Sequence, residues 1–388
     1  MKRIAIFCDG TWNRPDAQNP TNVFKLHKAT RLTGMDGVSQ LPKYIPGVGT
    51  GFGMTGLRAR FDRIQGGLFG TGVTRNIMIA YRFLTEFYAP GDEIYIFGFS
   101  RGAFTARSLA GMIRASGLPP HDRVHRAGEA LQRYRDRHHE TKPDAPESWA
   151  FRRDFSPGIV TSEAERDWRN RQQPGSNPHL LSITYLGVWD TVGAMGVPGH
   201  YRLLARAFNT RHEFHDAQLS RSVLAARHAV AIDERRRTFM PTLWENLADL
   251  NFDDPERARN YRQFWFPGDH GSVGGGGDIA GLSNISLRWI AEGAAAQGLD
   301  FDWIELNKLK QQEEYTAPLH NQSAPASLTA RLLRRSAVDR AGPDAVWDVS
   351  TPARARWHHT PLPPDWPGPY RPVPLRKVAS GIEPPERR

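Results

Sequence analysis

The chain of 388 residues holds a single cysteine, Cys8, so no intrachain disulfide can form. This agrees with folding in a reducing cytosol. It also leaves no cysteine pair for a zinc site, and no P-loop lysine follows a glycine-rich loop. No stretch approaches the ~18–20 apolar residues of a membrane span. The opening residues, Met1 to Asp9, carry two basic residues and a very short apolar run that Asp9 interrupts, unlike a secretory signal. They read as a first strand, and the expected location is cytoplasmic. There is no internal repeat. Acid is in deficit, 41 Asp and Glu against 51 Lys and Arg, for a net charge of +10. Such a surplus can favour nucleic acid or anionic lipid. The basic residues are nevertheless scattered among acids. They concentrate only at Arg235-Arg236-Arg237, at Arg331 to Arg335 and in the carboxyl tail, with no nucleic-acid motif around them. A solvated basic surface is expected, and no nucleic acid partner.

What is present is most telling at residues 92–107, DEIYIFGFSRGAFTAR. A β-branched and aromatic run ends in Gly98-Phe99-Ser100-Arg101-Gly102 and turns directly into a helical pattern. This is the strand, elbow and helix context of a nucleophilic serine. The elbow is tight, so positions two before and two after the serine must lack bulk, which Gly98 and Gly102 do. The turn lifts the Ser100 hydroxyl above the carboxyl edge of a sheet. It also sets the Arg101 N–H at a helix start, where a developing oxyanion can be held.

Around the elbow the chain alternates β and α. Residues 3–8 and Lys43-Tyr44-Ile45 read as strands, and Thr21 or Asn22 caps a helix to about Leu32. Val73 to Tyr88 is helical, and Leu180 to Trp189 and Arg262 to Phe266 are strands. Leu282 to Ala296 is a further helix. The expected fold is α/β, an α/β-hydrolase type with a mostly parallel sheet and helices on both faces. It spans about residues 1–300, with a polar cap inserted at about 119–180. A polar, helical segment is expected from about Tyr201 to Arg235. Beyond about Ala317, to residue 388, the Pro- and Arg-rich sequence predicts a flexible, extended or disordered tail.

A serine needs a base, and the base an orienting acid. Ligands of open parallel sheets lie at the carboxyl ends of strands. Such ends carry Asp9-Gly10-Thr11, Ser100, Asp190-Thr191 and Asp269-His270. The order serine, aspartate, histidine is that of α/β-hydrolases. His270 follows a strand directly and sits in a glycine-rich, flexible loop able to swing an imidazole over the serine; His228, His200 and His212 are the other candidates. Asp190 closes an apolar strand and competes with Asp233 and Asp269 as the acid. Gly10 or Thr11 supplies a second oxyanion N–H, and Asp9 either assists or only fixes its loop through backbone N–H bonds.

Rival signatures are incomplete. Gly51-Phe52-Gly53-Met54-Thr55-Gly56 is a literal dinucleotide fingerprint, but no acidic residue follows about 20 positions on. A phosphatase of the haloacid-dehalogenase type wants an aspartate where Phe7 stands. Neither a cofactor nor a metal is implied. The same fold as a catalytically silent binding or scaffolding module for anionic partners is the remaining alternative.

Four blocks together resemble the DUF2235 family of α/β-hydrolases, which includes catalytic domains of type VI secretion phospholipase effectors. They are Phe7 to Asn13, Gly98 to Ala103, Val188 to Gly193, and Trp265 through Gly276. The resemblance implies Ser100 as nucleophile, Asp190 as acid and His270 as base. It also implies a lipid or phospholipid ester as substrate, with peripheral membrane contact and delivery by a secretion system. The family pattern usually has Ser-Asp after the histidine; Gly271-Ser272 stands there instead, leaving Asp269 or Asp278 as the nearby carboxylates.

Overall fold

The computed structural model describes residues 1–11, 16–48, 68–136, 138–193, 218–253, 260–323, 337–364 and 366–382. The glycine fingerprint at 51–56, His200, His212 and the arginines at 331–335 lie outside the described residues. The strands in chain order are β1 (Arg3–Cys8), β2 (Gln40–Ile45), β3 (Glu93–Phe99), β4 (Ile159–Val160), β5 (His179–Leu180), β6 (Tyr185–Trp189), β7 (Ala226–Ala231) and β8 (Tyr261–Phe266). Six of them form one parallel sheet in the order β2-β1-β3-β6-β7-β8, and β4 pairs with β5. The α-helices are α1 (Asn22–Ala29), α2 (Leu68–Phe87), α3 (Arg101–Ser116), α4 (Ala127–Arg135), α5 (Pro146–Phe155), α6 (Glu163–Gln172), α7 (Leu247–Asp253), α8 (His270–Gly274), α9 (Gly281–Ala295), α10 (Trp303–Lys310) and α11 (Thr351–His358).

The two-residue period of a strand sends alternate side chains to opposite faces. Ile4, Ile6 and Cys8 join Ile94 and Ile96 in a cluster with α2 and α3. Ala5 and Phe7 join Tyr95 and Phe97 in a second cluster with α1 and α9. Both faces are therefore dry, which is why these strands read as nearly continuous apolar runs. The order reverses around β1, with β2 on one side and β3 on the other. Ligand crevices of open parallel sheets form at such a reversal, outside the carboxyl ends of the strands. Cys8 pairs with Gly98 there, so the residues after β1 and after β3 emerge side by side.

The insert between α3 and β6 is polar yet partly buried. The Glu165 carboxylate accepts from Arg152 Nε at 2.8 Å and Arg169 Nη2 at 2.6 Å, with all three side chains sealed from water. Arg152 Nη1 donates to the Ala115 carbonyl at 3.0 Å and Ser156 Oγ to that of Leu118 at 2.6 Å. These bonds tie the insert to the carboxyl end of α3, opposite Ser100.

Two expectations are corrected. The stretch expected to be polar and helical up to Arg235 contains β7, an inner strand of the sheet. Its Arg227 and His228 disguised it. Arg227 stacks 5.1 Å from the Trp289 ring, and His228 bonds Gln263 at 2.9 Å, so neither polar group is stranded in the core. The tail is the second. Its described residues Val349, Ala353, Tyr370, Leu375, Val378 and Ile382 pack on Val230, Ile232 and Trp265. The Ser350 N–H donates to the Trp265 carbonyl at 3.0 Å, covering the edge strand β8.

Arginine makes this packing possible. Arg356 is sandwiched 4.0 Å from Trp366 and 5.2 Å from Tyr370, and donates to the carbonyls of Tyr315 and Ala317 at 2.8 and 2.7 Å. A composition-based reading counts arginine as unburiable, but its planar head stacks on rings and its stem is apolar. Arg107, Arg152, Arg169, Arg340 and Arg356 are all buried, so part of the basic surplus faces inward. Replacing Arg356 by methionine is expected to lower stability by about 1–3 kcal/mol, from lost charged hydrogen bonds and ring stacking. Urea unfolding measures this; an unchanged midpoint would mean the tail's packing contributes nothing.

Candidate active site

Ser100 joins β3 to α3 with φ 59° and ψ −122°, a conformation side-chain-bearing residues rarely adopt. Holding it costs about 1–3 kcal/mol, and such strain clusters at functional sites. The neighbouring glycines are required by space. A Cβ at Gly98 would overlap the Gly102 carbonyl, and one at Gly102 would overlap the carbonyl oxygens of Cys8 and Asp9. The elbow thus sits directly against the end of β1.

Eighty residues of sequence separate Asp190 and His270, and 170 separate Ser100 and His270, yet the three side chains meet. His270 Nε2 lies 2.8 Å from Ser100 Oγ, and His270 Nδ1 lies 2.6 Å from Asp190 Oδ2. Ser100 is 4 % exposed, His270 6 % and Asp190 0 %, so water competes weakly for these bonds. The histidine is not on a loose loop, as expected from its glycines. It opens the single-turn helix α8, capped by Asp269, whose carboxylate accepts the Ser272 N–H at 2.9 Å. Phe99 and Phe239 flank the imidazole at centroid distances of 4.6 and 4.7 Å. The backbone N–H of His270 reaches Glu234 Oε2 at 3.3 Å.

Asp190 also has a positive φ, 37°, at the end of β6. Its Oδ1 accepts the Ala231 N–H at 2.9 Å. Arg340, from the tail, grips both oxygens: Nη1 donates to Oδ1 at 2.6 Å and Nη2 to Oδ2 at 2.9 Å. Burial alone would raise the Asp190 pKa, but the Arg340 charge and the His270 bond overcome it and hold the carboxyl far below its usual range. Sequence reasoning missed Arg340. It is one arginine among many in a Pro- and Arg-rich stretch, 150 residues from its partner, and no local pattern marks it.

The competing residues have other duties. His228 is fully buried, accepts the Thr191 N–H through Nε2 at 3.2 Å, and is pushed down to about 3 by burial and by Arg107. Asp233 accepts the Gly268 N–H at 2.7 Å and the Tyr370 hydroxyl at 2.8 Å, and burial raises its pKa. Asp269 pairs with His320 at 2.7 Å, and Ser272 Oγ donates to Asp269 at 3.0 Å. Asp278 accepts the Ser323 N–H at 3.0 Å, away from the triad's bonds. Asp9 fixes its loop: it accepts from the Gly10 N–H, the Thr21 hydroxyl and the Tyr44 hydroxyl, each at 2.7 Å. The Gly10 N–H is therefore committed to Asp9. The Thr11 hydroxyl is buried without a hydrogen-bond partner among the described residues.

A sequence model of the family described as the type VI secretion, Tle1-like phospholipase effector catalytic domain matches residues 2–293. The uncharacterized protein YEL023C of Saccharomyces cerevisiae is 32% identical over 247 residues, 61% of this chain and 32% of that protein. The chain thus spans about a third of the length of that curated relative. Among solved structures, an uncharacterized protein from Pseudomonas aeruginosa is 17% identical with a TM-score of 0.42, covering 81% of this chain and 49% of that one. The Tle1 effector bound to the VgrG spike of the type VI secretion system is 18% identical with a TM-score of 0.39, covering 72% of this chain and 52% of that one. Among the described residues, no helix is long and apolar enough to cross a membrane.

The elbow's steric demand is directly testable. Gly102→Ala is expected to destabilise the protein by about 1–3 kcal/mol, because the added methyl must displace the end of β1. Thermal unfolding reads this, and a wild-type melting temperature would contradict the close approach.

Proposed function

The chain belongs to the family of Tle1-like phospholipase effector catalytic domains, and from that premise we propose that it is a serine hydrolase of lipid carboxylic esters, acting through Ser100, His270 and Asp190. Family membership itself supports lipid ester hydrolysis in general. The observation that carries the finer reading is the continuous relay from Ser100 Oγ to His270 to Asp190.

With Nδ1–H donated to Asp190, the lone pair of His270 Nε2 faces the serine hydroxyl. Nε2 takes the hydroxyl proton as Ser100 Oγ attacks the ester carbonyl. The imidazolium then protonates the departing alcohol, leaving an acyl-enzyme. Water repeats the sequence: His270 accepts its proton, the hydroxide adds to the acyl carbon, and the proton returns to Ser100 as the acid leaves. Asp190 holds the ring in the needed tautomer, and Phe99 and Phe239 fix its plane. The Arg101 N–H stands at the start of α3, where the helix dipole favours an anion. With the Gly10 N–H bound to Asp9, Thr11 is the second candidate to meet the oxyanion. Its buried hydroxyl, unsatisfied among the described residues, supports that assignment. A phospholipid is the favoured substrate. The net charge of +10 suits peripheral contact with an anionic bilayer. Delivery by a type VI apparatus belongs to the same proposal.

Ser100→Ala should lower ester turnover about 10³-fold or more with folding unchanged. Full activity in that variant removes Ser100 from the mechanism, whereas a wild type that turns over no ester favours a silent binding module. Assays on p-nitrophenyl esters of increasing chain length beside phospholipid vesicles test the substrate class. Turnover confined to short soluble esters rejects the lipid assignment.

A further inference from the structure

We propose that Arg340 is a positioning residue of the triad, whose charge and two-pronged grip lock the Asp190 carboxylate against His270. This rests on the reading of Ser100, His270 and Asp190 as a hydrolytic triad.

The geometry is that of a fixed clamp. Both terminal nitrogens of Arg340 engage both Asp190 oxygens, at 2.6 and 2.9 Å. The same nitrogens donate to the carbonyls of Ala231 at 2.7 Å and Phe239 at 2.5 Å. Four bonds hold the guanidinium, and the side chains of Arg340 and Asp190 are 0 % exposed. The segment is tied down beside it: the Val338 N–H donates to the Arg235 carbonyl at 2.9 Å, and Asp339 pairs with Arg235 at 2.8 Å. Arg340 lies beyond residue 293, where the family match ends. The tail therefore contributes to a site whose triad lies wholly within the matched domain.

The consequence is electrostatic. In a triad the aspartate stabilises the imidazolium that forms during attack. Here that aspartate already carries a bidentate cation. The other carboxylates around His270 have partners of their own. Glu234, against the His270 N–H, is held by Arg236 at 2.6 Å, and Asp269 pairs with His320 at 2.7 Å. His228, which accepts the N–H of Thr191 next to Asp190, is held neutral by burial. Arg340 is the cation bound directly to the carboxylate that faces the ring, at a distance where charges in a poorly solvated site still interact strongly.

The test is the pH dependence of kcat/KM for the full chain on a p-nitrophenyl ester that the wild type cleaves. Arg340→Met is expected to move the acid limb up by about one pH unit or more, because removing the cation favours the imidazolium. It should also lower kcat about 10- to 100-fold, because the carboxylate is no longer locked. Arg340→Lys keeps the charge and should leave the limb in place. Arg340→Gln, neutral but able to bond Asp190, should shift the limb like methionine and serves where methionine is not tolerated. A neutral variant that folds and keeps the wild-type limb overturns the proposal, whatever its rate, since a purely structural contact would behave that way. Ser100→Ala separates the two possible failures. Turnover persisting there defeats the triad reading. Turnover lost there, with an unmoved limb in the neutral Arg340 variants, defeats this inference alone.

Discussion

A carboxylate sealed from water is unstable as an anion unless its charge and lone pairs are met. Asp190 is fully buried, and its partners come from three separate parts of the chain. The Ala231 N–H comes from the end of β7, the imidazole from α8, and the guanidinium from the tail. Taking away any one partner leaves the others to hold a charge they cannot fully satisfy. The strained turn at Asp190, the short capped helix that fixes His270, and the segment that carries Arg340 back to the site all serve this one buried group.

The sheet supplies the frame. Parallel strands covered on both faces must keep their polar groups at their ends, and the order reversal around β1 opens space there. Ser100 and Asp190 both take positive φ at neighbouring strand ends, pointing polar side chains away from the layers that bury the strands. Close packing of Gly98 and Gly102 against the ends of β1 and α3 makes the serine turn possible. Strain at the two turns is tolerated because the surrounding core over-determines them.

Arginine gives the molecule its second principle of construction. In the insert, two arginines close on Glu165; at the site one closes on Asp190; in the tail one is layered between aromatic rings. A guanidinium suits these places because it is flat, weakly hydrated and can donate several bonds in fixed directions, where an ammonium would remain solvated. A chain poor in apolar runs over residues 119–180 and beyond 317 can therefore still bury structure.

The linear order of residues determined the strand, elbow and helix around Ser100, because glycines at 98 and 102 and the switch from period two to period 3.6 are local signals. It also fixed the capped α1, the strand β8, and the apolar strands β1, β3 and β6, whose burial on both faces is written in their composition. Only the tertiary structure decided that Arg227 and His228 belong to an inner strand, since their acceptors lie on other elements. It alone gave His270 a rigid seat and returned Arg340 to Asp190. Local patterns report backbone preference and which face is apolar. They carry no record of which distant charge will neutralise a buried one, because that pairing is set by where the folded chain brings its segments together.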